Sequence, residues 1–207
     1  MRGKFVTIEG CEGAGKSTQL RLIREELEAA GIAAVFTREP GGTPIAEKIR
    51  AVILDADNVG MDALTELLLY EAARRQHTAE KIAPALAAGK LVFCDRHIDS
   101  TLAYQGYARG MDIGAVRRLN ALAMGDTAID LTLFIDVPPE AGFLRKGGAD
   151  AGDRLERETA EFHRKVYEGF CAIAATEPER VVRVPASGTK YETHARIMQI
   201  LHERGIL

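Results

Sequence analysis

A surplus of basic charge is missing from this sequence. Lys and Arg total 27 against 30 Asp and Glu over 207 residues, a formal net charge of −3. Domains that coat nucleic acid carry a clear basic excess, so a nucleic-acid partner is not expected. A small phosphorylated ligand remains open, because a few local arginines suffice for it. Long apolar runs are also absent: nothing approaches the ~20 residues that cross a bilayer, so no membrane partner is expected. The opening MRGKFVTIEG holds only a strand's length of apolar residues before Glu9 and does not read as a secretory signal. Cysteine is scarce. Cys11, Cys94 and Cys171 are odd in number and far apart, with no C-x-x-C pair. No disulfide framework follows, and a reducing cytoplasm is expected. The histidines, at 77, 97, 163, 194 and 202, show no metal-ligand grouping. No repeat, long linker or charged tail divides the chain, so one domain over residues 1–207 is expected.

What is present is a globular composition, 46% hydrophobic and 28% charged, arranged in alternating periods. KFVTIE (4–9), AAVFT (33–37), KLVFCD (90–95), LTLFIDV (131–137) and RVVRV (180–184) are short apolar runs with the character of strands. Between them lie segments with helical spacing. They cover 17–30, 43–54, 62–88 with an interruption expected near Pro84, 98–109, 112–124, 154–176 and 189–204. Thr43 and Pro44 make a good cap and first turn for the second of these. GGADAG (147–152) reads as a flexible, solvated loop. Strands alternating with helices predict an α/β fold with a five-stranded parallel sheet and right-handed crossovers. The ligand of such a sheet lies beyond the carboxyl ends of its strands.

Directly after the first strand stands GCEGAGKST, residues 10–18. Gly10 to Ser17 fit G-x-x-x-x-G-K-[ST], and the strand before and helix after are the context that motif requires. Gly10, Gly13 and Gly15 let the backbone wrap phosphate oxygens without side-chain clashes. The N–H groups of the loop, from Cys11 and Ala14 through Ser17 and Thr18, face the same anion with the helix N-terminus. Lys16 reaches the β- and γ-phosphates and Ser17 offers a hydroxyl to Mg²⁺. A P-loop NTPase fold binding ATP is therefore expected. Cys11 reads as a small loop residue whose thiol takes no part. Glu12 is harder to place, since an acid beside a bound triphosphate costs Coulomb energy and needs a compensating role.

The motif alone does not separate kinases from switches and motors. A guanine-reading N-K-x-D segment does not occur. The discriminating feature is a second set of phosphate ligands. Arg38 and Glu39 end the second strand, Arg50 and Arg74 lie on the helices that follow, and Arg96 directly follows the third strand. Arginine forks match phosphate bidentately. Asp95 ends the third strand in the position of a Mg²⁺ carboxylate; Asp136, at the end of LFIDV, is an equal candidate by spacing.

These segments together make the chain recognisable. IEGCEGAGKSTQ, TREPGGTPIAEKIR, YEAARRQH, CDRHIDSTLAYQGYARG, DLTLFIDV and DRLE resemble the bacterial thymidylate kinases, and the likeness runs over essentially the whole chain. The resemblance implies a nucleoside monophosphate kinase that transfers the γ-phosphoryl group of ATP to dTMP with Mg²⁺, and a homodimer. It places Glu12 at the acceptor's 3′-hydroxyl, Arg96 and Arg50 on the acceptor phosphate, and Glu39 near it. Arg74 reads the thymine ring and Tyr70 stacks on it. Ser100, Thr101 and Gln105 match base-side polar positions, and Tyr104 lies where bulk excludes a ribose 2′-hydroxyl. One departure stands out: Gly13 sits where some members carry an arginine. The resemblance implies that members without that arginine supply cations from a lid, here about residues 142–157. Among Arg145, Lys146, Arg154 and Arg157, the DR pattern favours Arg154 as the cation over the transferring phosphoryl, at the start of the helix after the loop. The competing readings are another nucleoside monophosphate kinase and a P-loop ATPase switch protein.

Overall fold

A computed structural model describes residues 2–145 and 153–207 of the chain. Five parallel strands form one sheet in the order β2-β3-β1-β4-β5: β1 is Phe5–Glu9, β2 Ala34–Arg38, β3 Leu91–Asp95, β4 Leu131–Asp136 and β5 Val181–Pro185. The central strands β1 and β4 are buried along nearly their whole length, while β2, at the edge, is half-exposed. That is why β1 and β4 read as continuous apolar runs rather than as alternating ones. The register pairs Ile8 with Asp95 and Glu9 with Phe134. The ends of β1, β3 and β4 therefore open on one edge of the sheet.

Helices cover both faces. On one, α1 (Lys16–Ala29) and α9 (Lys190–Glu203) bury Ile23, Leu27, Ile197 and Leu201 against Ile8 and Leu133. On the other, α8 (Ala160–Thr176) buries Val166 and Phe170 against Phe134, whose ring stacks on Phe170 at 5.3 Å. No helix among the described residues is long and apolar enough to cross a membrane.

The remaining helices are α2 (Pro44–Leu54), α3 (Ala63–His77), α4 (Ala83–Ala87), α5 (Ile98–Thr101), α6 (Ile113–Met124) and α7 (Pro139–Arg145). Several of them contribute to the site, together with the starts of α1 and α8. The interruption expected near Pro84 is a π-helical turn over Thr78–Ile82, just before it; Pro84 sits in the first turn of α4. Two expectations need correction. The 98–109 segment is a short α-turn continued by a π-helical stretch, Leu102–Ala108. The helix expected from 154 begins at Ala160, where the Thr159 hydroxyl caps the Phe162 amide at 3.1 Å. The solvated loop expected at 147–152, with most of the expected lid centre, lies outside the described residues.

Candidate active site

Glycine geometry builds one end of the site. Beyond β1 the chain turns at Gly10 and Gly13, and Gly15, at φ 100°, caps α1. A Cβ on Gly13 would lie 2.0 Å from the carbonyl oxygen of Gly142, and one on Gly142 would lie 2.1 Å from that of Glu12. The loop thus packs backbone to backbone on α7, a physical reason for glycine at 13. A Cβ on Gly15 would meet nothing within 4 Å, so the loop is open on that side. Lys16 Nζ folds back onto the carbonyls of Gly10 and Cys11, both at 2.9 Å, and burial lowers its pKa. The Cys11 side chain packs among Leu102, Tyr104 and Phe134, and burial pushes its thiol up to about 12. Thr18 is half-buried in the first turn of α1.

The two candidate aspartates separate cleanly. Ser17 Oγ donates to Asp95 Oδ2 at 3.3 Å, and Asp95 Oδ1 is buried with no partner. Asp136 instead accepts from Tyr167 at 2.9 Å and from Arg183 at 2.7 Å. A hydroxyl beside a carboxylate with a spare oxygen suits a hard cation that keeps waters and phosphate oxygens as its other ligands. No group of three or more His, Cys, Asp or Glu that could hold a metal occurs among the described residues.

From this end a cleft of about 290 Å³ runs toward α3 and the π-helical stretch. It brings together Glu12, Glu39, Arg50, Tyr70, Arg74, Arg96, Ser100, Thr101, Tyr104 and Gln105, which are all the acceptor-side residues drawn from the sequence. Arg96 holds φ 65°, a backbone region that non-glycine residues adopt at a cost. This turns its side chain back over the loop. Its Nη1 donates to Gly10 O at 3.1 Å and Ser100 Oγ at 3.2 Å, its Nη2 pairs with Glu12, and it stacks 5.3 Å over the Tyr104 ring. Burial pulls its pKa down, but Tyr104, Glu12 and Asp95 outweigh that and hold it well above the ordinary range.

Arg74 is 1% exposed and heavily anchored. It donates to Glu39 at 2.8 Å, Glu71 at 2.9 Å, Asn120 at 2.6 Å and Thr101 at 2.9 Å. A guanidinium has five N–H donors; four are used and one, on Nη2, has no partner among the described residues, in a side chain that lines the cleft. Glu39 in turn takes His77 Nδ1 at 3.0 Å and has His97 Nε2 at 2.9 Å. Burial raises its pKa, but His97 and Arg74 outweigh it and keep the carboxyl well below the ordinary range. Glu39 therefore enters the cleft as the anchor of Arg74. Arg50 Nη1 holds Pro40 O at 2.8 Å. Tyr70 is half-buried on the wall, and Tyr104 is 6% exposed beside Phe162 and Phe170 with its hydroxyl unpartnered.

Arg154 differs most from expectation. It starts no helix, lies 8% exposed, and does not line the cleft. Its partner is Glu66 at 2.5 Å, and its Nε donates to Ile53 O at 3.0 Å. Arg145 donates to Ala186 O at 2.9 Å. Sequence reasoning missed Asp153, Glu156 and His163, which line the cleft, and Glu66 behind it. His163 closes the first turn of a helix that otherwise reads as amphipathic, with no local signal to single it out.

A family model described as thymidylate kinase matches residues 8–197. The thymidylate kinase of Synechococcus sp. (strain JA-2-3B'a(2-13)) is 51% identical over 200 residues, covering 97% of this chain and 95% of that protein. That of Bacillus pumilus (strain SAFR-032) is 48% identical over 206 residues, covering 98% and 97%. The crystal structure of thymidylate kinase from Ehrlichia chaffeensis matches with a TM-score of 0.80 at 35% identity, over 98% of this chain and 99% of that one.

Proposed function

This chain belongs to the thymidylate kinase family, and from that premise we propose that it transfers the γ-phosphoryl group of ATP to dTMP, giving dTDP and ADP. The observation that carries this reading is the convergence of acceptor-side residues from separate segments, Glu12 to Gln105, on one cleft that begins at the phosphate loop. A switch protein needs the loop but not the second wall.

The donor triphosphate lies in the loop, with Lys16 swung from the Gly10 and Cys11 carbonyls onto its β- and γ-oxygens. Mg²⁺ fits beside Ser17 and the spare oxygen of Asp95, where it would neutralise charge on those oxygens. Arg96, helped by Arg50, holds the acceptor phosphate in line. Glu12 stays paired with Arg96 and accepts from the sugar 3′-hydroxyl, which is the compensating role its place in the loop calls for. Arg74 turns its remaining N–H to the base, with Tyr70 stacked on the ring and Ser100, Thr101 and Gln105 along its edge. A monophosphate is already an anionic nucleophile, so no general base is required. Alignment and charge neutralisation do the work.

Residues 1–207 are read as one domain with a lid over about 142–157. Arg154, released from Glu66 on closure, is the first candidate for the phosphoryl cover and Arg145 the second. The protein acts in the cytoplasm, a reading supported by its three unpaired cysteines. It works as a homodimer, supported by the exposed apolar residues Ile45 and Val52 on α2 and Leu64 and Leu68 on α3.

The test is ADP release with a panel of monophosphates. dTMP should be the best acceptor, dUMP weaker, and AMP, CMP and GMP poor. Equal turnover of CMP and dTMP would point to another monophosphate kinase. Release that depends on a protein or DNA partner and not on any monophosphate would favour a switch.

A further inference from the structure

Glu66 lies on α3, 1% exposed and outside the cleft lining. Its Oε1 accepts from Gln105 Nε2 at 2.8 Å. Arg109 donates to both oxygens, at 3.2 Å and 3.1 Å, and Arg154 pairs with Oε2 at 2.5 Å. Burial would raise this carboxyl, but Arg109, Gln105 and Arg154 outweigh it and lower the pKa. Glu66 is therefore an ionised carboxylate, and an ionised carboxylate only accepts hydrogen bonds.

That constrains Gln105. A primary amide has a donating end and an accepting end of nearly equal size. The partner at its back can take only the donating end. The carbonyl is left for the cleft, which Gln105 lines; no described residue donates to it. A carbonyl on the base edge accepts the ring N3–H of thymine or uracil. It meets the bare ring nitrogen of cytosine lone pair to lone pair.

We propose that Glu66 is a positioning residue that fixes which end of the Gln105 amide faces the acceptor base, and so selects a base with a ring N–H over one without. This rests on Gln105 lying at the base edge, as proposed above. Glu66 touches no substrate. It acts through the orientation of the amide, while Arg109 and Arg154 keep it charged.

The test is Glu66→Gln, whose amide donates as well as accepts and removes the bias on Gln105. The ratio of kcat/KM for dTMP to that for dCMP should fall about tenfold, the worth of one hydrogen-bond preference. The change should lie in KM for the two nucleotides, with kcat for dTMP within a few-fold of wild type. An unchanged ratio, with both nucleotides losing equally, overturns the proposal. The loss of a buried anion between two arginines can prevent folding, so Gln105→Glu provides an independent measurement. Beside ionised Glu66, an acid at 105 must keep its proton to bond, and it then shows its carbonyl oxygen to the base. Its kcat/KM for dTMP should fall with rising pH relative to wild type, because loss of that proton sets two carboxylates against each other and drives the side chain off the base edge. A parallel pH profile overturns the proposal. If the wild-type protein does not phosphorylate dTMP at all, the proposed function fails, not the role of Glu66.

Discussion

Ser17 and Asp95 are 78 positions apart in sequence and 3.3 Å apart in space. One opens α1 and the other closes β3, so the pairing of β1 with β3 brings them together. Asp136, the equal candidate by spacing, is one strand further on and already bound to Arg183 and Tyr167. Asp95→Asn should therefore lower kcat tenfold or more, as expected for about 1.4 kcal/mol or more of lost charge stabilisation. It should also raise the Mg²⁺ concentration needed for half-maximal activity, while dTMP still binds by calorimetry. Asp136→Asn should leave the Mg²⁺ dependence unchanged. A reversed pattern would move the cation to the other strand.

Glu9 gives a prediction with a definite sign. It is buried at the end of β1, accepting from the His97 amide at 2.7 Å and from Ser100 Oγ at 2.6 Å. Burial, with Asp99 nearby, raises its carboxyl from an ordinary 4.5 to about 8. Between those values the folded protein keeps a proton that the unfolded chain releases. Its contribution to stability is therefore full below about pH 4.5 and declines as pH rises toward 8. Glu9→Gln imitates the protonated form and removes that decline. The Tm of the variant minus that of wild type should grow steadily from pH 5 to pH 8. A difference independent of pH would show that Glu9 is ionised throughout.

Much of this architecture is written locally. The phosphate loop carries its own chemistry in Gly13, Gly15, Lys16 and Ser17, and strand ends such as Asp95 and Arg96 point to the ligand edge through the rule for parallel sheets. Those features need no knowledge of distant partners. Glu66 is the opposite case. On a helix surface a glutamate normally marks solvent, and only the return of residues 105, 109 and 154 to one point buries it. Arg154 misled for the same reason. Its place in DRLE suggested a helix start and a side chain over the transferring phosphoryl, whereas a contact 88 positions away holds it. The π-helical turns at 78–82 and 102–108 were also hidden, because they differ from α-helix in hydrogen bonding and not in apolar spacing.

Tyr104 combines two signals that substitution can separate. Its ring fills space between Arg96 and Phe162, and its hydroxyl is buried with no partner among the described residues. An unpaired buried hydroxyl costs about 1–3 kcal/mol, so Tyr104→Phe should fold at least as stably as wild type. It should also keep the preference for deoxyribose, since the bulk remains. Tyr104→Ala should weaken that preference, measured as the ratio of kcat/KM for thymidine monophosphate with deoxyribose and with ribose. A hydroxyl that binds substrate would instead make Tyr104→Phe lose activity, and a ratio unchanged in Tyr104→Ala would make the ring packing alone.

Arg154 sets a structural role against a catalytic one. With Gly13 packed on Gly142, position 13 has no room for a side chain that could reach the transferring group, and the proposed phosphoryl cover would have to come from elsewhere. Arg154 is held by Glu66 and Ile53 O, so closing over ATP requires it to leave both. Glu66 is not stranded when it does, because Arg109 and Gln105 stay on it. The cost of release is therefore that of one ion pair and one hydrogen bond, which a closing lid can offset. An arginine acting on transition-state charge contributes up to ~10³–10⁵ in rate in related phosphoryl transfers. On that basis Arg154→Ala should lower kcat by at least ~10²-fold while KM for both nucleotides changes little, the pattern of an interaction made mainly in the transition state. Its Tm should drop by only a few degrees, as one partner of a still-paired carboxylate is lost. If kcat instead stays within a few-fold of wild type while Tm falls, Arg154 only braces α3 against the segment after the lid. The same kcat measurement on Arg145→Ala would then test the second candidate, which is held by Ala186 O.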